Sequence, residues 1–135
     1  DDMGVNAHAD TGFMTFLPPA NEPGLQVLGT DGAWFWPEFP AGVLIVNAGQ
    51  FLGRWTNDRF RATPHRVVPP QENDRYSLAC FINPNFEAVG ECLPTCTDAD
   101  NPPKYAPVLS GEYVAAKVDG SRAPLMEEGQ AKAAN

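Results

Sequence analysis

Apolar residues occur in short runs along most of the chain, separated by segments rich in glycine, proline, asparagine and aspartate. The runs at 5–17 and 25–36 alternate loosely between apolar and polar positions, which is typical of strands with one buried face. Each run contains a turn signal with glycine, at 11–12 and at 31–32. Each therefore predicts two strands joined by a turn, and the Asp-Gly pair at 31–32 favours a hairpin with positive φ.

Later runs predict further strands. The continuous apolar run at 43–46 is typical of a strand buried on both faces. Segments 61–68 and 75–85 also look extended, whereas a helical turn after residue 50 is broken at 56–58. Helix is predicted only near the C-terminus, beginning at Ser110 as an N-cap.

Six or seven short strands predict an all-β domain, either a sandwich, a barrel or a jelly roll. The length of 135 residues predicts one domain, and the 14 prolines and 12 glycines favour strands and turns over long helices. Most of the large aromatic residues are expected in the core, since they bury the most surface. They include Trp34, Trp36, Trp55, Phe51 and Phe60.

The formal net charge of −8 repels phosphate backbones, so nucleic acid is not an expected partner. No apolar run has the length of a membrane span and no secretion signal precedes the first strand, so the expected location is the cytoplasm.

Because the chain begins without methionine and directly with a structured pattern, we expect a fragment or a processed chain. The three cysteines are expected to be reduced, and Cys92 and Cys96 lack the further ligands of a zinc site.

Two histidines and one acid form the first candidate site. His8 and Asp10 stand two residues apart, so on an extended segment their side chains point to the same side. Taken alone, this pair is also typical of a polar turn before Thr11 and Gly12. With His65, however, the chain holds two imidazoles and one carboxylate, the ligand set of non-heme Fe(II) sites with open positions for oxygen and a co-substrate.

A second candidate site follows ten residues after His65. Arg75 and Ser77 share one face of a predicted strand, and a guanidinium with a hydroxyl is a good receptor for a carboxylate. The alternative for Arg75 is a surface salt bridge with Asp74 or Glu72. Phe81 and Ile82 lie further along the same strand, where alternation allows only one of them to face the site.

Several segments together are similar to one known family. They are "HAD" at 8–10, "GLQVLGTDGAW" at 24–34, "PAGVLIVNAGQFLGRWTNDRFRATPHRVVPP" at 40–70, "DRYSLACFINP" at 74–84 and "NPPKYAPVLSGEYVAAK" at 101–117. Over these residues the chain resembles the Fe(II)- and 2-oxoglutarate-dependent oxygenases of the isopenicillin N synthase-like branch. One departure is Gln50, where the family often has aspartate, and we expect a structural adjustment there without lost chemistry.

The resemblance implies a double-stranded β-helix, or jelly roll, whose first strand or strands are absent. Residues 1–109 would form the catalytic core and residues 110–135 a helical tail. It also implies the roles of five residues. They are Fe(II) binding by His8, Asp10 and His65, and binding of the distal carboxylate of 2-oxoglutarate by Arg75 and Ser77. Of the two residues that follow on the same strand, we expect Phe81 to line the substrate pocket.

The activity implied by the resemblance is oxidation of a small organic molecule, most commonly hydroxylation. It consumes dioxygen and 2-oxoglutarate and releases succinate and CO2. Two alternatives stay open: an oxidase of the isopenicillin N synthase or ethylene-forming type that does not use 2-oxoglutarate, and a non-catalytic metal-binding β domain. Because a jelly roll without its first strands exposes unpaired backbone and core, we expect the segment alone to bind iron poorly and turn over little.

Overall fold

The computed structural model describes residues 3–40 and 42–119. Its nine strands are β1 Val5–His8, β2 Met14–Leu17, β3 Leu25–Leu28, β4 Trp34–Phe35, β5 Ile45–Ala48, β6 His65–Val67, β7 Cys80–Ile82, β8 Val89–Gly90 and β9 Val108–Leu109. Two α-helices, α1 Gln50–Trp55 and α2 Ser110–Asp119, and one 3-10 turn, Pro94–Cys96, complete the described elements. None of the helices in these ranges has the length and apolar character needed to cross a membrane.

The strands form two main antiparallel sheets and one small pair. The first sheet has the order β1-β6-β3-β4 and the second the order β5-β2-β7, while β8 pairs with β9. Strands distant in sequence are therefore neighbours in space, as in a jelly roll. The predicted hairpin between β3 and β4 is confirmed, and Gly32 in its turn has φ 82°.

The two main sheets enclose a cavity of about 280 Å³. Within strands β2, β3, β5 and β6 the lining residues stand two positions apart, because successive side chains of a strand point to opposite faces. In β1 both Val5 and His8 line the cavity, although residues three positions apart on a regular strand face opposite sides. The pairing of β1 with β6 is irregular between these two residues. Such an irregularity re-aims the side chains that follow it, and here it turns His8 and Asp10 inward.

The wall of the cavity is mostly apolar. Leu25, Val27 and Val67 contribute to it from the first sheet, and Leu17 and Ile45 from the second. Seven of the fifteen lining residues nevertheless carry polar side chains, and such groups need a hydrogen-bond or ligand partner.

Helix α1 and the beginning of α2 enclose an aromatic core beside the sheets. Phe51 is fully buried, and its ring lies 5.7 Å from that of Trp55 and 5.6 Å from that of Tyr113. Helix α1 ends at Trp55, and soon afterwards Asn57 and Asp58 adopt left-handed backbone conformations, with φ of 52° and 67°. The predicted break of the helix at this point is confirmed.

The prediction for the run at 43–46 is wrong in two respects. The strand runs from Ile45 to Ala48, and the outward residues Leu44, just before it, and Val46 are 55% and 54% exposed. Strand β5 pairs only with β2 among the described residues, so it is an edge strand there, and no described element covers its outer face. Periodicity cannot separate a strand buried on both sides from one whose outer apolar face is uncovered.

Other expectations are met only in part. Within segment 75–85, ladder pairing is confined to Cys80–Ile82, and residues 75–79 have no strand partner among the described residues. Trp36 and Phe60 are 51% and 57% exposed, so the core assignment was wrong for these two aromatics. Ser110 is the first residue of α2 and not its cap. The rest of the predicted tail, residues 120–135, lies outside the described residues, and the boundary at residue 109 stays a prediction.

Candidate metal centre

Strand pairing brings the two histidines together. β1 and β6 are antiparallel neighbours, and His8 lies directly opposite His65 in their register. The two imidazole rings are 4.4 Å apart between centroids. Asp10 follows the end of β1 by two residues, so its carboxylate returns to the same face of the sheet. Only the tertiary pairing places His65 beside the His-x-Asp segment.

The three side chains converge on one point. Asp10 Oδ1 lies 3.6 Å from His8 Nε2 and 3.5 Å from His65 Nε2, and the three candidate ligand atoms are all within 4.8 Å of one another. Two metal–ligand bonds of about 2.1 Å that meet at one ion can span a longer distance than either nitrogen–oxygen separation. An ion can therefore contact Oδ1 together with either nitrogen. Asp10 is buried, whereas the His8 side chain is 43% exposed, which leaves the cluster open on one side.

Hydrogen bonds to the backbone fix the tautomer of each imidazole. His8 Nδ1 donates to the Asn6 carbonyl over 2.8 Å, and His65 Nδ1 donates to the Thr63 carbonyl over 3.1 Å. A carbonyl only accepts, so each Nδ1 carries a proton, and Nε2 is the ring nitrogen of each histidine that faces Asp10. This is the orientation that metal-ligating histidines require.

The two oxygens of Asp10 have different surroundings. Oδ1 faces the histidines, whereas Oδ2 accepts hydrogen bonds from Thr15 Oγ1 over 2.5 Å and from Asn47 Nδ2 over 2.8 Å. Thr15 and Asn47 were missed from sequence. The signal that could have found them is a polar residue at an inward position of an otherwise apolar strand.

Gln50, the departure from the family pattern, anchors the segment that carries Asp10. Its backbone N–H donates to the Asp10 carbonyl over 2.7 Å, and its side chain donates to the Ala9 carbonyl over 3.2 Å. The Gln50 side-chain oxygen accepts from the hydroxyl of Tyr113, which links this segment to α2. These hydrogen bonds hold residues 9 and 10 beside α1, and the adjustment expected for the loss of aspartate at position 50 stays a prediction.

Arg75, Ser77 and Phe81 line the same cavity as the three-residue cluster, and Ile82 does not. Arg75 Nε donates to the Glu22 carbonyl over 3.2 Å. No Asp or Glu of the described ranges lies within 4 Å of its guanidinium, so the alternative of a salt bridge with Asp74 or Glu72 is wrong. Ser77 is exposed, and Phe81 is 62% exposed at the edge of the cavity.

A glycine makes room for Arg75. A Cβ added at Gly24 would lie 2.5 Å from Arg75 Nε and 2.7 Å from its Cδ, well inside van der Waals contact. Gly24 precedes β3, and β3 places Val27 opposite His65. Three residues of strand span roughly 10 Å, so the arginine and the histidines lie at separate positions along the cavity.

The two described groups with shifted pKa values, Tyr105 and Tyr113, do not line the cavity. Burial raises the pKa of Tyr105 to about 12, and its hydrogen bond to Asp58 adds to the shift. Burial also raises the pKa of Tyr113, while the Arg54 guanidinium that lies over its ring opposes the shift. This cluster ties α1 to the segment before α2 and to α2 itself.

Comparisons with known proteins agree with this geometry. The family model of the 2OG-Fe(II) oxygenase superfamily matches residues 1–84. The chain is 36% identical over 133 residues to Kihadalactone A synthase LFS of Citrus sinensis, covering 96% of this chain and 39% of that protein. It is 37% identical to the 2-oxoglutarate-Fe(II) type oxidoreductase hxnY of Emericella nidulans, over 82% of this chain and 32% of that protein.

Solved structures give the same result. A full-length Neurospora crassa protein in complex with alpha-KG and thymine superimposes with a TM-score of 0.81 at 34% identity, over 89% of this chain and 38% of that one. JOX2 in complex with 2OG, Fe and JA superimposes with a TM-score of 0.74 at 32% identity, over 82% of this chain and 33% of that one. The predicted jelly-roll fold class is thereby confirmed. The chain spans two fifths or less of the length of these relatives, and it belongs to the 2OG-Fe(II) oxygenase superfamily.

Proposed function

We propose that this chain is the metal-binding core of an Fe(II)- and 2-oxoglutarate-dependent oxygenase that hydroxylates a small organic molecule. One observation carries the proposal: an open cluster of two imidazoles and one carboxylate shares a cavity with an arginine that has no acidic partner within the described residues. His8, Asp10 and His65 hold the metal in this proposal. Arg75 and Ser77 receive the distal carboxylate of 2-oxoglutarate.

The donor set fits Fe(II). Two neutral nitrogens and one carboxylate oxygen occupy one face of an ion and leave the opposite positions open. Each Nδ1 is hydrogen-bonded to the backbone, so Nε2 is the nitrogen that remains to bind a metal, and Oδ1 of Asp10 accepts no hydrogen bond within the described structure. When bound, Fe(II) supplies oxygen activation coupled to decarboxylation of 2-oxoglutarate to succinate and CO2.

The co-substrate site follows from charge and distance. An Arg75 guanidinium without a carboxylate partner in a mostly apolar wall favours an anion from outside the chain. The position of Arg75 and that of the histidines are separated by roughly 10 Å of strand. A five-carbon dicarboxylate and the arginine side chain together can span this distance. The Ser77 hydroxyl, on the same face two residues on, supplies a second donor to the carboxylate.

The remaining apolar wall, with Phe81 at its edge, suits the carbon skeleton of a small substrate. Among the neighbouring structures, the Neurospora crassa protein is in complex with thymine and JOX2 with JA, both small organic molecules. We place this chain in the isopenicillin N synthase-like branch on the Arg-x-Ser motif that follows His65 by ten residues.

The test is calorimetric titration with 2-oxoglutarate under anaerobic conditions, in the presence and absence of saturating Mn(II) as a redox-stable substitute for Fe(II). We expect 2-oxoglutarate binding that requires the metal, and Mn(II) is supplied at saturation because the segment alone is expected to bind metal weakly. His65→Ala removes metal binding, and Arg75→Ala removes 2-oxoglutarate binding while it preserves metal binding. Arg66→Ala is the matched control, because Arg66 does not line the cavity and instead contacts Gln26 and stacks on Trp34.

The outcomes separate the alternatives. Equal Mn(II) binding by the wild type and His65→Ala would favour a non-catalytic β domain. With Fe(II) and air, succinate formed in equal amount to the 2-oxoglutarate consumed supports the oxygenase. Oxygen consumption without succinate would favour an oxidase that does not use 2-oxoglutarate.

A further inference from the structure

Two polar side chains on the second sheet are directed at the carboxylate of Asp10. Thr15 of β2 and Asn47 of β5 are direct partners in the antiparallel register, so they stand side by side on the inner face. Thr15 is 5% exposed, and both residues line the cavity among apolar neighbours. A polar group buried in such a wall is costly unless it is hydrogen-bonded, and both side chains donate to the same atom, Asp10 Oδ2.

The two hydrogen bonds give the two carboxylate oxygens separate tasks. A carboxylate oxygen has two lone-pair sites for donors, and Thr15 and Asn47 fill both on Oδ2. Oδ1 has no donor within the described residues and faces His8 and His65. The carboxylate is thus bound by the second sheet through one oxygen and presented to the histidines through the other.

We propose that Thr15 and Asn47 are positioning residues that restrict Asp10 to a single metal bond, which rests on the function proposed above. A carboxylate that binds through both oxygens occupies two positions of a six-coordinate ion. One that binds through Oδ1 alone leaves three positions free beside the two histidines. Two are then available to a chelating keto acid and one to oxygen, so the pair sets how many open positions the site offers.

Loss of both donors removes this restriction for a clear physical reason. Oδ2 then becomes a buried acceptor without a partner, an arrangement that costs more than a missing hydrogen bond at the surface. The strongest partner left within reach is a bound cation, so Oδ2 turns to it. Either donor alone still occupies Oδ2, so the single variants are expected to change the coordination less than the double variant.

The experiment counts the water molecules bound to Mn(II). Line broadening of the Mn(II) electron paramagnetic resonance signal in 17O-enriched water is measured for the wild type, Thr15→Val, Asn47→Leu and the double variant. These changes remove the donors at similar side-chain volume. We expect three bound waters in the wild type and two in the double variant. With 2-oxoglutarate added, we expect one water in the wild type and none in the double variant.

Two controls exclude a merely structural explanation. Thr15→Ser keeps the hydroxyl and loses one methyl group, so it is expected to keep the wild-type water count. Circular dichroism identifies variants that fail to fold. If the double variant with Val and Leu does so, Thr15→Ala with Asn47→Ala takes its place, because the smaller side chains remove both donors without steric overlap, and the same two waters are expected.

The same water count in the wild type and in every folded variant would overturn the proposal, although the metal site itself would stand. No Mn(II) binding by the wild type, even at saturating metal concentrations, would instead contradict the proposed function. A count reduced by one in the folded double variant, and unchanged in Thr15→Ser, supports the positioning role.

Discussion

The space beside Gly24 gives a prediction that separates co-substrate binding from metal binding. In Gly24→Ala, the new Cβ would lie 2.5 Å from Arg75 Nε, 2.7 Å from Arg75 Cδ and 3.0 Å from the Val68 carbonyl oxygen. Because the arginine side chain is flexible and the strand is not, we expect the guanidinium to move and the fold to persist. The three candidate metal ligands lie elsewhere in the cavity and stay in place.

The magnitude follows from the interaction that the arginine makes in the proposed complex. A hydrogen bond to a charged group contributes about 1.5–3 kcal/mol, which corresponds to about a 10- to 150-fold change in Kd. Gly24→Ala is therefore expected to weaken 2-oxoglutarate binding by a factor in this range, with Arg75→Ala as the upper limit. Mn(II) affinity is expected to stay within about twofold of the wild type, since a Cβ at Gly24 would contact none of its ligands.

The assay is calorimetric titration of the Mn(II)-loaded chain with 2-oxoglutarate, and thermal melts verify that each variant is folded. Gly4→Ala is the matched control, because its Cβ would meet Val67 at an ordinary 3.4 Å beside the same sheet. Unchanged 2-oxoglutarate affinity in Gly24→Ala, together with a loss in Arg75→Ala, would refute the steric reasoning. Unchanged affinity in both variants would refute the role of Arg75.

Three further predictions concern the rest of the chain. Asn57 is 2% exposed, has φ 52° and hydrogen-bonds the backbone of the 96–104 segment, so Asn57→Ala is expected to lower the free energy of unfolding by about 2–4 kcal/mol in urea melts. Asn57→Gly is expected to lower it less, because glycine tolerates the backbone angle, and equal losses in the two variants would argue against backbone strain. The pKa of Tyr105 is about 12 in the folded state and 10.0 in the unfolded chain, so the unfolded state loses the proton first and the free energy of unfolding is expected to fall as the pH rises from 10 to 12. A fall of the same size in Tyr105→Phe would contradict the assignment to Tyr105. Leu44 and Val46 are exposed on the outer face of β5, so the double variant Leu44→Lys with Val46→Lys is expected to self-associate less in sedimentation experiments and to bind Mn(II) with unchanged affinity. Equal self-association of the variant and the wild type would show that this face is not responsible.

The sequence was sufficient for the local features of the site. Alternation along a strand placed Arg75 and Ser77 on one face and allowed only one of Phe81 and Ile82 to join them, and the cavity lining agrees with this. The two-residue spacing of His8 and Asp10 likewise predicted that their side chains converge. These features depend only on the two-residue alternation of side chains along an extended backbone, and a short segment of sequence is enough to show it.

Positions in space that depend on partners distant in sequence were decided by the tertiary structure. The register of β1 with β6 places His65 opposite His8, and the register of β2 with β5 places Thr15 and Asn47 together beside Asp10. The exposed outer face of β5 follows from its edge position. Sequence patterns determine which face of a strand is apolar, whereas long-range pairing determines which strand lies beside it and what covers it. The sequence therefore determined which residues could serve the metal site, and only the fold decided how Asp10 is held for it.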